Sequence, residues 1–290
     1  MKQKHADYKV VPYPKFRRFE AVILRSLQRK PMIHGLIEVD VTSARAFMRE
    51  HKVKTGEALS FTAFIITCVA KAVDENKSVQ AYRKGRNRLC IFEDVDVNTQ
   101  IERELDDQKS AIPYTVRAAN RKTFREIHHE IRAAQRQDVA QAAEGMGFKA
   151  FQFLPTFLFR IGWWVLWWRG RTSPQVRTKY MGTVGITAVG MFGKGAGWGI
   201  PLAGHNLYIT LGGIDEKPGV VDGQIAIREY LSMTMSFDHS IVDGAPAARF
   251  TGRLKGLIES GYGLDDSTTA SEATEAPGTS NKSENRRYSS

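Results

Sequence analysis

Cysteine is scarce in this chain: only Cys68 and Cys90 occur among 290 residues. Neither sits in a CxxC pair or has histidines at ligand spacing, which excludes a disulfide framework and a cysteine-based zinc site and leaves two free thiols in apolar surroundings. No secretory leader is expected either. The opening MKQKHADYKVVPYPKF has no continuous apolar stretch and no small-residue cleavage site, so the reducing cytoplasm is the expected compartment. No apolar run convincingly reaches the roughly 20 residues of a spanning helix. The nearest, residues 151–168, has Pro155 near its start and Arg160 in its middle, an expensive place for a charge in a bilayer. Nor do the cations gather into one stripe. The formal charge is +11, yet lysine and arginine are scattered, densest in the first thirty residues and at Arg83, Lys84, Arg86 and Arg88. Such a surface attracts anions, phosphate-bearing cofactors among them, without a track for nucleic acid, and no nucleic-acid partner is expected.

What is present suits one large folded unit with ragged ends: 42% of residues are hydrophobic and 25% charged. Residues 1–18 are basic, and Pro12 and Pro14 prevent a helix there, so they form an arm. A short helix is expected over 20–27, a strand over 35–41, and a helix over 43–52 with Thr42 as its N-cap. Residues 60–73 make a largely buried helix, and strands follow near 89–101 and 112–117. The helix over 123–140 carries Phe124, Ile127, Ile131 and Ala134 on one stripe. His128 and His129 fall on or beside its polar face, as solvated residues whose adjacent positions cannot converge on one metal, and no metal site is expected. The run 151–168 contains four of the five tryptophans and four phenylalanines. It reads as a buried helical hairpin or an oligomer contact. A membrane-surface anchor is the rival reading, less favoured.

From Gly182 to Tyr230 short strands alternate with glycine turns, as in an antiparallel or mixed sheet, and LSMTMSF at 231–237 extends it. An amphipathic helix follows over 247–258. The fold ends near Gly261, and the polar remainder, 263–290, has the composition of a disordered tail.

The chemistry concentrates in Phe237-Asp238-His239-Ser240-Ile241-Val242-Asp243-Gly244, where an alternating strand runs into a histidine and an Asp-Gly turn. A histidine at a strand end is held rigidly, and an imidazole of ordinary pKa near 6.5 is largely neutral at pH 7, able to accept a proton as a general base. Asp243 is placed to fix the turn through a charged hydrogen bond, and Gly244 to allow backbone angles or a close approach that a Cβ forbids.

The pattern His-x-x-x-Asp-Gly, together with SMTMSFDHSIVDGAPAARF at 232–250, GTVGITAVGMFG at 182–193 and VVDGQIAIRE at 220–229, resembles the catalytic domain of dihydrolipoyl acyltransferases of the 2-oxo acid dehydrogenase complexes. The order of these blocks agrees, and weaker likeness runs through 37–45, 61–73 and 121–132. The resemblance implies a chloramphenicol acetyltransferase-like α/β fold, an α+β two-layer sandwich of a mixed sheet against helices, spanning 19–262 with the aromatic insertion at 151–170. It implies trimers, or multiples of them, with each active site between two subunits. Coenzyme A or an acyl-CoA enters as substrate, and no covalently bound cofactor is expected. His239 then matches the family's catalytic histidine, Asp243 the motif aspartate, and Thr187 the position of a serine whose hydroxyl stabilises an oxyanion.

Some features depart from that pattern. The family's lipoyl and subunit-binding domains have no counterpart in these 290 residues, Ser240 stands where an arginine usually follows the histidine, and the aromatic run replaces a shorter polar connection. A free acyl-CoA is therefore the expected donor, with Ser240 and Gly244 beside the substrate and Trp163 and Trp164 lining a slot for a bulkier acyl chain. Two alternatives accompany the enzymatic reading: a noncatalytic scaffold or binding relative, and a lipid-modifying acyltransferase at a membrane surface.

Overall fold

The computed structural model describes residues 9–13, 15–27, 30–85, 87–105, 108–136, 156–190 and 195–265. Parts of the expected arm (1–8 and residue 14), the end of the expected helix over 123–140, residues 151–155 of the aromatic run and most of the expected tail (266–290) lie outside them.

The elements follow in the order α1 (Lys15–Leu27), β1 (Met32–Asp40), α2 (Thr42–Thr55), α3 (Phe61–Glu75), β2 (Tyr82–Lys84), β3 (Arg88–Cys90), β4 (Val97–Leu105), β5 (Gln108–Val116), α4 (Phe124–Arg136), α5 (Thr156–Thr172), α6 (Pro174–Met181), β6 (Val184–Ala188), β7 (Leu207–Val221), β8 (Gln224–Asp238) and α7 (Gly244–Glu259). Six strands form one sheet in the order β1-β8-β7-β6-β4-β5, and β2 and β3 form a separate ribbon. The sheet is mixed: β6 runs parallel to both β4 and β7, and the other pairs are antiparallel.

Why β8 lies inside the sheet is written in its alternation. Leu231, Met233, Met235 and Phe237 project to one face, Ser232, Thr234, Ser236 and Asp238 to the other, and all eight are buried. The apolar set meets α3 and α7. Helix α3 is buried along most of its length, from Ala63 to Val73, and Ser60 caps it by accepting a hydrogen bond from the Ala63 amide at 3.2 Å. Helix α7 packs on α3 through Phe250, Leu254, Leu257 and Ile258. The result is the expected layer of helices on a mixed sheet. The Ser/Thr face is covered differently, by the chain at 195–199. A Cβ on Gly212 would stand 1.9 Å from the Gly197 carbonyl oxygen, so the irregularity between Leu211 and Ile214 in β7 tolerates only glycine there.

Local expectations fail in three places. The arm was set to reach residue 18, but α1 starts at Lys15, immediately after Pro14. Thr42 does not cap α2: its hydroxyl donates to Asp40 at 2.6 Å and accepts from the Glu229 amide at 2.8 Å, tying β1 to β8 instead. The strand expected over 89–101 is two, β3 and β4, because the chain leaves the β2–β3 ribbon before joining the main sheet. Cys68 is buried as expected, and Cys90 only half so.

Candidate active site

At the end of β8 the backbone is pinned from several directions. The His239 amide donates to the Pro31 carbonyl at 2.8 Å, and the amides of Ile241 and Val242 both donate to the Asp238 carbonyl at 3.0 Å. The Asp238 carboxylate, buried, accepts from the Ser240 amide at 3.0 Å and from its hydroxyl at 2.6 Å, an Asx turn. Ser240 thus serves the turn.

Within this frame His239 Nδ1 lies 3.1 Å from the Val242 carbonyl oxygen. A carbonyl only accepts, so Nδ1 carries the proton and Nε2 presents its lone pair. The side chain is 47% exposed, open to a reactant. Asp243 plays a smaller part than the motif suggests. Its carboxylate stands 3.7 Å from Nδ1, beyond hydrogen-bond range, is 86% exposed, and makes no cap bond although Asp243 is the N-cap of α7. Asp238, one residue before the histidine, does the fixing. Gly244 has no positive φ, and a Cβ there would meet nothing within 4 Å, so within one subunit neither proposed need for glycine applies.

Thr187 lies in β6, in register with Thr210 of β7, which is in register with Thr234 of β8. His239 is five residues further along β8. At about 3.3 Å per residue and about 4.8 Å between strands, the two positions are about 16 Å apart along the strands and about 10 Å across them. One subunit does not bring them together. Tyr208 shares the sheet face with Thr187; burial raises its phenol pKa, and a side-chain hydrogen bond with Thr187 acts the other way.

Behind His239 is a buried polar cluster with no motif to announce it. The Lys30 ammonium donates to the Gly204 carbonyl and to Asn206 Oδ1, each at 2.8 Å. Burial, with the Arg177 charge adding to it, lowers its pKa to about 7, against the pull of Asp238. Asn206 donates to the Ala81 carbonyl at 2.7 Å and accepts the Asp238 amide on its own carbonyl at 2.8 Å. His205 is held near pKa 3 by burial and donates from Nε2 to the Met181 carbonyl at 2.6 Å. The Arg177 guanidinium lies 3.7 Å from the centre of the Tyr82 ring. The cluster joins Lys30, next to Pro31, to the strand end that bears His239.

The second histidine grouping differs from the sequence expectation. His128 is 2% exposed, although His129 is exposed as expected. Ligand atoms of Glu57, His128 and His129 come within 4.8 Å of one another, so adjacent helical histidines do converge here. Both His128 nitrogens are committed, however: Nδ1 accepts the Ser60 amide at 3.1 Å, and Nε2 donates to Glu57 at 3.1 Å. Burial would raise the Glu57 pKa, but hydrogen bonds from Arg125 and His51 outweigh it and hold it at about 2. The group is an ion-paired network joining α2, α4 and the turn before α3.

Helix α5 is a single helix with a bare side, in place of the buried hairpin expected. Trp164 is 62% exposed, and a side chain so placed encloses no acyl chain within its own subunit; Trp163 is half-buried.

The family described as 2-oxoacid dehydrogenases acyltransferase (catalytic domain) matches residues 5–145 and 173–264, more than half of the chain. The chain belongs to this family. The lipoamide acyltransferase component of the branched-chain alpha-keto acid dehydrogenase complex of Bacillus subtilis (strain 168) is 26% identical over 252 residues, covering 84% of this chain and 50% of that protein. The dihydrolipoyllysine-residue succinyltransferase component of the 2-oxoglutarate dehydrogenase complex of Bartonella vinsonii subsp. berkhoffii is 28% identical over 232 residues, covering 79% of this chain and 48% of that protein. The chain spans about half the length of these relatives. Among solved structures, a probable dihydrolipoamide acetyltransferase from Listeria monocytogenes 4b F2365 superposes with a TM-score of 0.61 at 21% identity, covering 87% of this chain and 95% of the other. The cubic core of a pyruvate dehydrogenase multienzyme complex gives 0.62 at 20% identity, covering 89% and 93%. The fold is therefore that of the family's catalytic cores. The matched residues leave out 146–172, which contains all of α5.

Proposed function

We propose that this family member transfers an acyl group between thiols by direct attack, with coenzyme A or an acyl-CoA as one substrate and His239 as general base. The observation that carries the reading is the His239 ring: Nδ1 is tied to the Val242 carbonyl at 3.1 Å, while the side chain stays 47% exposed. That combination fixes the tautomer a base needs.

In the forward step Nε2 takes the proton from an acceptor thiol, whose ordinary pKa is about 8.5. The thiolate sulfur bonds to the thioester carbonyl carbon, and the carbonyl electrons move onto oxygen. The imidazolium formed is stabilised by the Val242 carbonyl and the Asp243 carboxylate 3.7 Å from Nδ1. Collapse breaks the original C–S bond, and the leaving thiolate takes the proton back from Nε2. No acyl-enzyme forms. Thr187, supplied by a neighbouring subunit, donates its hydroxyl to the oxyanion, a contribution of about 3–4 kcal/mol for one such donor.

Two features favour subunits sharing the site. The register places Thr187 and His239 far apart in one chain. In addition, the hairpin joining β7 to β8 carries exposed Val220, Ile225 and Ile227, at 76, 81 and 74%, on a stretch beyond the last residue paired with β1. Apolar residues so bare on a protruding ribbon suit a subunit contact, and a homotrimer is the assembly this reading takes.

The test is thiol release from a panel of acyl-CoAs, with and without dihydrolipoamide, comparing the native protein with His239→Ala. The expected result is turnover with at least one donor and a loss of about 10²–10⁴-fold in the variant. A folded assembly inert toward every donor and acceptor pair would instead make the protein a noncatalytic family member.

A further inference from the structure

Helix α5 is an addition to the family domain and apolar on more than one side. One side packs against α1, α6 and β2. The other exposes Phe157, Leu158, Ile161, Trp164, Val165 and Trp168, from 41 to 62% each. At about 100° per residue these six fall on a single stripe about 120° wide. Arg160 lies just outside one edge of that stripe and Arg169 just outside the other, and both are exposed. An apolar band with a tryptophan pair and an arginine along each border is the arrangement of a helix lying in a lipid headgroup layer, its rings among the upper acyl chains and its guanidiniums at the phosphates.

Charge complementarity selects the partner. From residue 145 to residue 214 the chain holds no aspartate or glutamate, against seven lysines and arginines. Helix α1, packed beside α5, adds exposed Arg17, Arg18 and Arg25. A groove for another protein normally pairs some acidic groups at its rim, whereas α1, α5 and α6 together carry nine lysines and arginines against one glutamate, Glu20. No described helix is long and apolar enough to cross a membrane. The 17 residues of α5 span about 26 Å at 1.5 Å each, short of a hydrocarbon layer of about 30 Å.

We infer that α5 docks this protein on the surface of an anionic bilayer, lying in the interfacial plane with the Phe157–Trp168 stripe downward. The attachment is peripheral. Its electrostatic part falls with salt as the screening length shrinks from about 8 Å at 0.15 M to about 3 Å at 1 M.

The experiment is sedimentation of the full chain with vesicles of phosphatidylcholine alone and of equal parts phosphatidylcholine and phosphatidylglycerol. Native protein is expected to pellet with the anionic vesicles, to do so less at high salt, and to lose tryptophan fluorescence to lipids brominated near the headgroup end of the acyl chain. The doubly substituted Ile161→Glu/Trp168→Glu chain, checked for native helix content by circular dichroism, is expected to partition at least about tenfold less, a change of about 1.4 kcal/mol. The quenching measurement needs no variant and stands if that chain misfolds. Failure of the native protein to pellet with either vesicle overturns the inference, as does undiminished binding of the folded double variant. If the native protein ignores vesicles and the double variant falls to a lower mass in light scattering, the stripe is a contact between copies.

Discussion

A histidine acts as a base only if something decides which nitrogen holds the proton, and here the deciding group is a backbone carbonyl three residues on. Replacing Asp243 by Asn should therefore leave the tautomer intact and reduce kcat modestly, by about tenfold or less, whereas Asp238→Ala frees Ser240 and loosens the ring. Steady-state kinetics that rank the two in the opposite order would put the motif aspartate back at the centre. Lys30 allows a prediction about stability. Its folded pKa of about 7 lies below the ordinary 10.5, so between these values the unfolded chain binds more protons and stability rises with pH. The cost of burying the charged amine is fully present below about pH 7 and is relieved toward 10.5. Lys30→Met should flatten that rise, measured as chemical denaturation midpoints across the range. Residue by residue, the motif was legible because its chemistry is local. Lys30 was not, because a lone lysine before a proline says nothing of the Gly204 and Asn206 groups brought to it by the fold. His128 was legible and misread: four residues after Phe124 and three before Ile131, it belongs to the apolar stripe.

Elements explain which patterns could be read. Alternation in 231–237 and the apolar periodicity of 247–258 are short-range signals, and they give the right strand and the right helix, although α7 starts three residues earlier, at Gly244. Helix α3 was equally plain, and its cap is testable: Ser60→Ala should cost about 1 kcal/mol of unfolding free energy, since the Ala63 amide loses its acceptor. Helix α5 defeated the same approach. Its sequence is apolar around most of its circumference, which ordinarily means burial, and only the packing of α1 and α6 shows that one side stays bare. The break between β3 and β4 was hidden for a related reason, since a ribbon and a sheet use the same residues.

At the scale of the whole molecule, the proposed base sits at one strand end and the proposed oxyanion donor on another strand, too far away in the same chain for either to complete the other. Thr187→Val should lower kcat by about 10²–10³-fold and His239→Ala at least comparably. Co-assembled from an unfolded or dissociated mixture, the two inactive chains should regain a substantial fraction of native activity, because some interfaces then join an intact His239 to an intact Thr187. Activity that stays at the level of the separate variants would place both groups in one subunit's site. The hairpin offers the complementary test: Ile225→Ser with Ile227→Ser should lower the assembly's mass in light scattering and reduce activity with it.

The carbonyl that receives the His239 amide belongs to Pro31, ahead of the first strand of the sheet. Removing the residues up to Gly35 would take away both that acceptor and the neighbouring ammonium while sparing most of the core. A recombinant form trimmed there for convenience should crystallise the same scaffold and turn over slowly at unchanged Michaelis constant, so the chosen starting residue is itself a catalytic variable.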